Sequence, residues 1–214
     1  MGRTREGELY YSPSCKFEYL KGLIDNKEER ELLKCFEERV KELYLEPAYV
    51  LIKEANDKKS DNSSMGLVFS AGLICVSAVD FLGRFYFGCP KEDEVKVEHR
   101  FVGWLLKYMS PLFNALLAKK FYKDFRNGLV HECRIKNGGE FSLNEGETRR
   151  EEVDDNGVRY LVVNPEKLLK KLEDGFKNYL DDLRQDENML SQLVECLKKD
   201  FKEDFRKGED SNER

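Results

Sequence analysis

The run from Met65 to Gly88 constrains the fold more than any other stretch of this chain. It is apolar on every helical face and broken only by Asp80 and Arg84. A helix without a polar face has to be enclosed, either by other helices or by lipid. About fifteen uncharged residues precede the first charge, short of the roughly 20 that span a bilayer, so a central buried helix is expected. Asp80 and Arg84 stand four residues apart and so share one helical face. The spacing allows two readings: an intrahelical ion pair, or two walls of a polar site shared with another part of the chain.

The flanking segments can supply the enclosing helices. Residues 1–25 are rich in Tyr and Gly and read as an N-terminal arm or short helix packed on the main body. From Asp25 or Asn26, good N-cap types, a helical stripe runs through Leu32, Leu33, Phe36, Val40, Leu43, Tyr44, Leu51 and Ala55, with Pro47 expected to kink or split it. A polar loop extends from Asp57 to Ser64. Beyond the apolar run, Val95–Met109 reads as a second amphipathic helix, and Ser110-Pro111 as the cap-plus-proline start of a third.

The period changes over 139–163. Phe141 and Leu143 alternate with polar residues, Asp155-Asn156-Gly157 is a hairpin turn signal, and 158–163 is β-branched and aromatic. Asn164-Pro165 and Asp186 then open two further helices. The expected fold is therefore mainly α, an up-and-down helical bundle with a small inserted β-hairpin. Its organisation is an arm over 1–25, a helical domain over 26–206 with the hairpin near 139–163, and a disordered tail over 207–214.

At 214 residues the chain can bury one sizeable core. Its net charge of −5 excludes a generally basic nucleic-acid coat, so any polyanion must be met by a local basic patch. The six cysteines are scattered without a C-x-x-C pair, and a zinc site would need distant cysteines joined by His99 and His131. No apolar signal core follows Met1, so a cytoplasmic protein with reduced thiols is expected, with Cys75 as a core residue.

Chemistry concentrates in Phe125-Arg126-Asn127-Gly128-Leu129-Val130-His131-Glu132. Arginine holds phosphate oxygens with a planar fork of donors and stays charged. Histidine can take and return a proton around neutrality. Asn127 can orient a phosphate, a hydroxyl or a partner's side chain. On an ideal helix, residues five apart are about 140° apart in projection, so Arg126 and His131 would not share a face. Asn127-Gly128 tolerates a turn or left-handed conformation, and a helix boundary there would turn both side chains into one cleft. Gly128 also permits close approach of a phosphate or of a partner's backbone. The plainer alternative has Arg126 capping carbonyls or pairing with Asp124 or Glu132.

An arginine, a polar residue and a histidine suit RNA cleavage, in which the 2′-hydroxyl attacks its own phosphate. One histidine cannot readily serve as base and acid on opposite sides of that phosphate. A second histidine from a twofold-related subunit would solve this, so the chemistry predicts a homodimer with the motif at its interface.

Arg126-Asn127-Gly128-Leu129-Val130-His131 resembles the R-x4–6-H motif of HEPN (higher eukaryotes and prokaryotes nucleotide-binding) domains, in which a polar residue follows the arginine. The resemblance covers residues 28–185, with the specific part confined to those six. It implies a mostly helical, commonly dimeric bundle. Many members are metal-independent endoribonucleases of toxin–antitoxin, defence or RNA-processing systems, while others serve as binding or dimerisation modules. Carried over, Arg126 and His131 match the catalytic pair and Asn127 the variable polar position. Asp80 and Arg84 are candidate supports for that site. The implied partners are RNA, a second copy of the chain and a cognate antitoxin protein; no cofactor, metal or membrane is implied.

Overall fold

In the computed structural model the description covers residues 9–58, 63–91, 93–144, 146–153, 156–157 and 159–202. The apolar run folds into one helix, α4 (Ser63–Tyr86), 24 residues long with both charges inside it. Its mean hydropathy reaches 2.0, so by length and composition alone it could cross a membrane, which the count of residues before the first charge did not anticipate. Here it is wrapped by protein. It packs on α3 (Glu46–Asp57) and α5 (Val97–Tyr108), and further along on α8 (Pro165–Gln185) and α9 (Glu187–Asp200). Cys75, Val76, Ala78, Val79 and Leu82 of α4 are wholly buried, each apolar side chain contributing on the order of 1–3 kcal/mol.

Aromatic rings fill the space around α4. Phe36 lies against Phe81, Phe85, Phe176 and Tyr179, and Tyr86 meets Tyr108 and Tyr179 edge-on. The crossing of α4 and α5 is closer than side chains allow. A Cβ on Gly83 would lie 2.7 Å from the Arg100 carbonyl oxygen, so glycine is required for that backbone contact.

The protein is mainly α, with a small sheet inserted between helices, as the period change implied. β4 (Arg149–Val153) and β5 (Arg159–Val163) form the antiparallel hairpin, while Asp155 and Val158 of its turn region lie outside the described residues. β3 (Glu140–Phe141) lies where the alternation at Phe141 and Leu143 begins, but it is no arm of the hairpin: it pairs in parallel with β5, giving the order β3-β5-β4. Asn164 and Asp186 cap α8 and α9 with their side chains as expected.

Three boundaries differ from the sequence reading. Residues 17–25 are the short helix that the sequence allowed there, α1 (Phe17–Asp25), whose Phe17, Leu20 and Leu23 join the core, but a hairpin that it did not suggest, β1 (Tyr10–Ser12) with β2 (Cys15–Lys16), precedes it. Asp25 and Asn26 therefore end a helix instead of starting one, and α2 begins at Glu29 (Glu29–Val40). Pro47 neither splits nor breaks the helical path. A π-helical turn over Lys41–Leu45 precedes it and joins α2 to α3, and its wider i→i+5 bonding accommodates the missing N–H. Ser110-Pro111 lies in a turn, and Asn114 caps α6 (Ala115–Phe121) by accepting the Leu117 N–H at 3.0 Å. Residues 1–8, the central part of the 57–64 loop and the 207–214 tail fall outside the described residues.

Cysteines remote in sequence meet in space. Cys15 Sγ lies 2.9 Å from Cys35 Sγ between the N-terminal hairpin and α2. Cys196 on α9 is hydrogen-bonded with Cys89, and that contact together with burial pushes its thiol pKa up. Cys75 is buried in the core of α4, where desolvation raises its thiol to about 12.

Gly83→Ala is expected to push α5 off α4 at the Arg100 carbonyl and to lower stability by about 1–3 kcal/mol, as overpacking does. Thermal denaturation checks this; an unchanged melting temperature would contradict the close backbone crossing.

Candidate functional site

The motif lies on one uninterrupted helical path. A second π-helical turn, Tyr122–Arg126, succeeds α6 and runs directly into α7 (Asn127–Glu132). The Asn127 N–H reaches back to the Tyr122 carbonyl, five residues earlier, which defines the wide turn. Asn127 itself is helical (φ −69°, ψ −37°), so the expected boundary at Asn127-Gly128 is absent. Arg126 closes the wide turn and reaches its partners with a long side chain.

The reversal comes later, at Cys133, whose φ of 52° is left-handed. It folds the chain back over α7, so that a Cβ on Gly128 would lie 2.3 Å from the Arg134 carbonyl oxygen. Gly128 is thus needed for close approach of this chain's own backbone, and not for a left-handed turn. Asp124, 2% exposed, fixes the returning segment: it accepts from Asn137, pairs with Lys120 at 2.9 Å, and its carbonyl receives the Lys136 N–H. Glu132 is taken by Arg134 and Lys136. Neither carboxylate is therefore the partner of Arg126.

That partner is Asp80, from the last two turns of α4. Arg126 Nη2 donates to Asp80 Oδ2 at 2.9 Å and Nε donates to the same oxygen at 3.3 Å. The third nitrogen, Nη1, lies 3.3 Å from Asn127 Oδ1 and 3.4 Å from His131 Nε2. A guanidinium can only donate, so in this contact His131 Nε2 is the accepting atom. His131 is exposed, whereas Arg126 is 13% and Asp80 29% exposed. The site therefore has a partly buried, anchored cation with a solvent-facing imidazole beside it.

Tyr122 completes the cluster. Its ring centroid is 5.7 Å from the Arg126 guanidinium carbon, and its hydroxyl is hydrogen-bonded with the Asn127 side chain. Burial pushes the Tyr122 phenol up, against the pull of Arg126, so it stays a neutral hydroxyl. With its oxygen facing Arg126 and its amide group facing Tyr122, Asn127 is fixed in one orientation.

The structure thus brings Asp80, Arg126, Asn127 and His131 together. Arg84 faces the same cleft, but its ion pair is with Asp200 of α9, not with Asp80 four residues before it. The intrahelical pair expected from the i, i+4 spacing does not form, because each charge has a better-placed partner on another helix. The cleft itself, about 500 Å³, is lined by Tyr44, Asp80, Arg84, Lys91, Arg100 and Arg126 among others.

Tyr44, Tyr122, Lys91 and Arg100 were not singled out from the sequence. Arg100 did carry a signal, since it occupies the buried stripe of α5 between Val97 and Trp104. Lys91 carried none. Comparison of the chain with protein-family models, with curated proteins and with solved structures finds no match.

Replacing Asp80 with Ala leaves a mostly buried guanidinium without its carboxylate. The expected cost is about 1–3 kcal/mol of folding stability, the size of a lost charge-assisted hydrogen bond. Chemical denaturation measures it. A variant as stable as the parent would mean that Asp80 does not anchor Arg126.

Proposed function

We propose that the protein is an endoribonuclease of HEPN type, with Arg126 and His131 as the reacting pair, acting without a metal as a homodimer. One observation carries this reading. The Arg126 guanidinium is anchored on one side by Asp80 and presents Nη1 on the other, beside Asn127 and the Nε2 of the exposed His131. A phosphate oxygen docking at Nη1 would lie next to a proton acceptor.

The proposed reaction needs no water. The 2′-oxygen forms a bond to the adjacent phosphorus, the bond from phosphorus to the 5′-oxygen breaks, and the products are a 2′,3′-cyclic phosphate and a 5′-hydroxyl. A base removes the 2′-proton while an acid protonates the departing 5′-oxygen. His131 supplies one of these roles and the partner subunit the other. Arg126 stabilises the charge that grows on the phosphorane oxygens, a task for a preorganised donor. Asn127, held by Tyr122 and Arg126, orients the phosphate.

A non-catalytic nucleotide- or protein-binding module is the second reading, and a specific observation favours it. Asp80 already occupies two of the three Arg126 nitrogens, and the chain carries a net charge of −5. Under that reading ligands bind and RNA stays intact.

Incubating the purified protein with mixed RNAs in EDTA separates the two. Wild type is expected to degrade RNA, and His131→Ala to lose activity by about 10²–10⁴-fold, the usual contribution of a positioned acid or base. Sedimentation of the same samples is expected to show a dimer. Identical RNA patterns for wild type and His131→Ala after long incubation would overturn the catalytic reading.

A further inference from the structure

We infer that the cleft beside Arg126 is a subsite for one nucleotide of single-stranded RNA, its phosphate held by Arg100 and Lys91 and its base against Tyr44 and Phe81. This deepens the ribonuclease reading and rests on it for the choice of polymer.

Charge is the first argument. Four cations line this cleft (Arg84, Lys91, Arg100 and Arg126) against one carboxylate, Asp80, in a chain that is acidic overall. Two of the four are already paired, Arg126 with Asp80 and Arg84 with Asp200. Among the described residues neither the Arg100 guanidinium nor the Lys91 ammonium has a carboxylate partner, although the Lys91 backbone N–H donates to Glu94 at 2.9 Å. This is the local basic patch that a net-negative protein needs in order to hold a polyanion.

Arg100 is the second argument. It is 8% exposed, yet its Nε is buried without a hydrogen-bond partner, and among the described residues its side chain donates only from Nη1 to the Pro90 carbonyl at 3.4 Å. An arginine buried with donors unmet costs free energy unless something supplies acceptors. Its position is not adjustable either, because the α4–α5 crossing at Gly83 fixes the Arg100 backbone. A phosphate, with its several acceptor oxygens, matches the donor set of this arginine together with the neighbouring ammonium of Lys91.

The aromatic wall is the third. Tyr44 and Phe81 both line the cleft, with ring centroids 5.4 Å apart and planes inclined by 34°. Base–aromatic contact beside a cationic groove is how single strands are held without sequence readout, and a paired base would have no free face to offer. The volume of about 500 Å³ suits a nucleotide. Since Arg126 belongs to both cleft and catalytic cluster, the bound nucleotide would neighbour the scissile phosphate.

Binding of a fluorescent 2′-O-methyl oligoribonucleotide tests this without cleavage, since its 2′-oxygen is blocked. Wild type is expected to bind it, Arg100→Gln about tenfold more weakly, the loss of one charge-assisted contact. Lys91→Gln, an exposed site that leaves folding intact, is expected to weaken binding and reduce the salt slope by about one. Tyr44→Leu is expected to weaken binding with the salt slope unchanged. Inorganic pyrophosphate and ATP serve as competitors at concentrations below the oligonucleotide's own; displacement by ATP alone would assign the site to free nucleotides, displacement by pyrophosphate would assign it to a bare anion, and either would overturn the polymer assignment. Equal affinity of wild type, Arg100→Gln and Lys91→Gln would overturn the subsite. Oligonucleotide binding that depends on Arg100 and Lys91, without cleavage of unmodified RNA, would sink the nuclease and leave the subsite standing.

Discussion

A central core helix holds its charges best where other elements bring partners to them, and α4 carries two. Asp80 is met by Arg126 from the second π turn and Arg84 by Asp200 from α9. Both pairs join segments far apart in the chain at the same end of the central helix. Removing one member of such a pair leaves its partner desolvated and unpaired, a larger penalty than the pair's own net gain. The apolar length of α4 thus organises the core, and its polar end determines where Arg126 can sit.

The two π-helical turns share a placement. One holds Tyr44 and the other Arg126, and both of these side chains line the cleft beside Asp80. A π turn adds a residue without ending the helix, so it changes which side chain faces a neighbour while keeping the backbone bonded. In the first turn Pro47 supplies a local reason for the widening. The second follows Phe121 and contains Phe125, two fully buried rings whose centroids are 4.9 Å apart. Keeping both rings in the core while turning Arg126 toward α4 is the packing demand that the wider turn meets.

Much of the scaffold was legible in the sequence. All-round apolarity identified α4, the turn signal at Asp155-Asn156-Gly157 and the β-branched run after it identified the hairpin, and Asn164 and Asp186 announced the caps they form. These are local signals, set by periodicity and by side chains that bond their own backbone. The illegible features depended on contacts across the fold. β3 is two residues long and exists only because β5 lies beside it. The spacing of Asp80 and Arg84 suggested an internal pair, which competing partners on other helices replaced. Gly128 was read as a turn residue, whereas it accommodates the Arg134 carbonyl after the reversal at Cys133. Within the site, Arg126, Asn127, His131 and Asp80 were all named from the sequence, but the tyrosines and Arg100 were hidden among core residues, where an aromatic or a single arginine has no distinctive pattern.

The central claim is chemical: Arg126 and His131 promote attack by the substrate's own 2′-oxygen. Phosphorus NMR of a short RNA of defined sequence, monitored through digestion by wild-type protein, tests it most directly. The account predicts a cyclic phosphate as the first product, absent with Arg126→Ala or His131→Ala. A linear phosphate monoester appearing first, with no cyclic species before it, would contradict it.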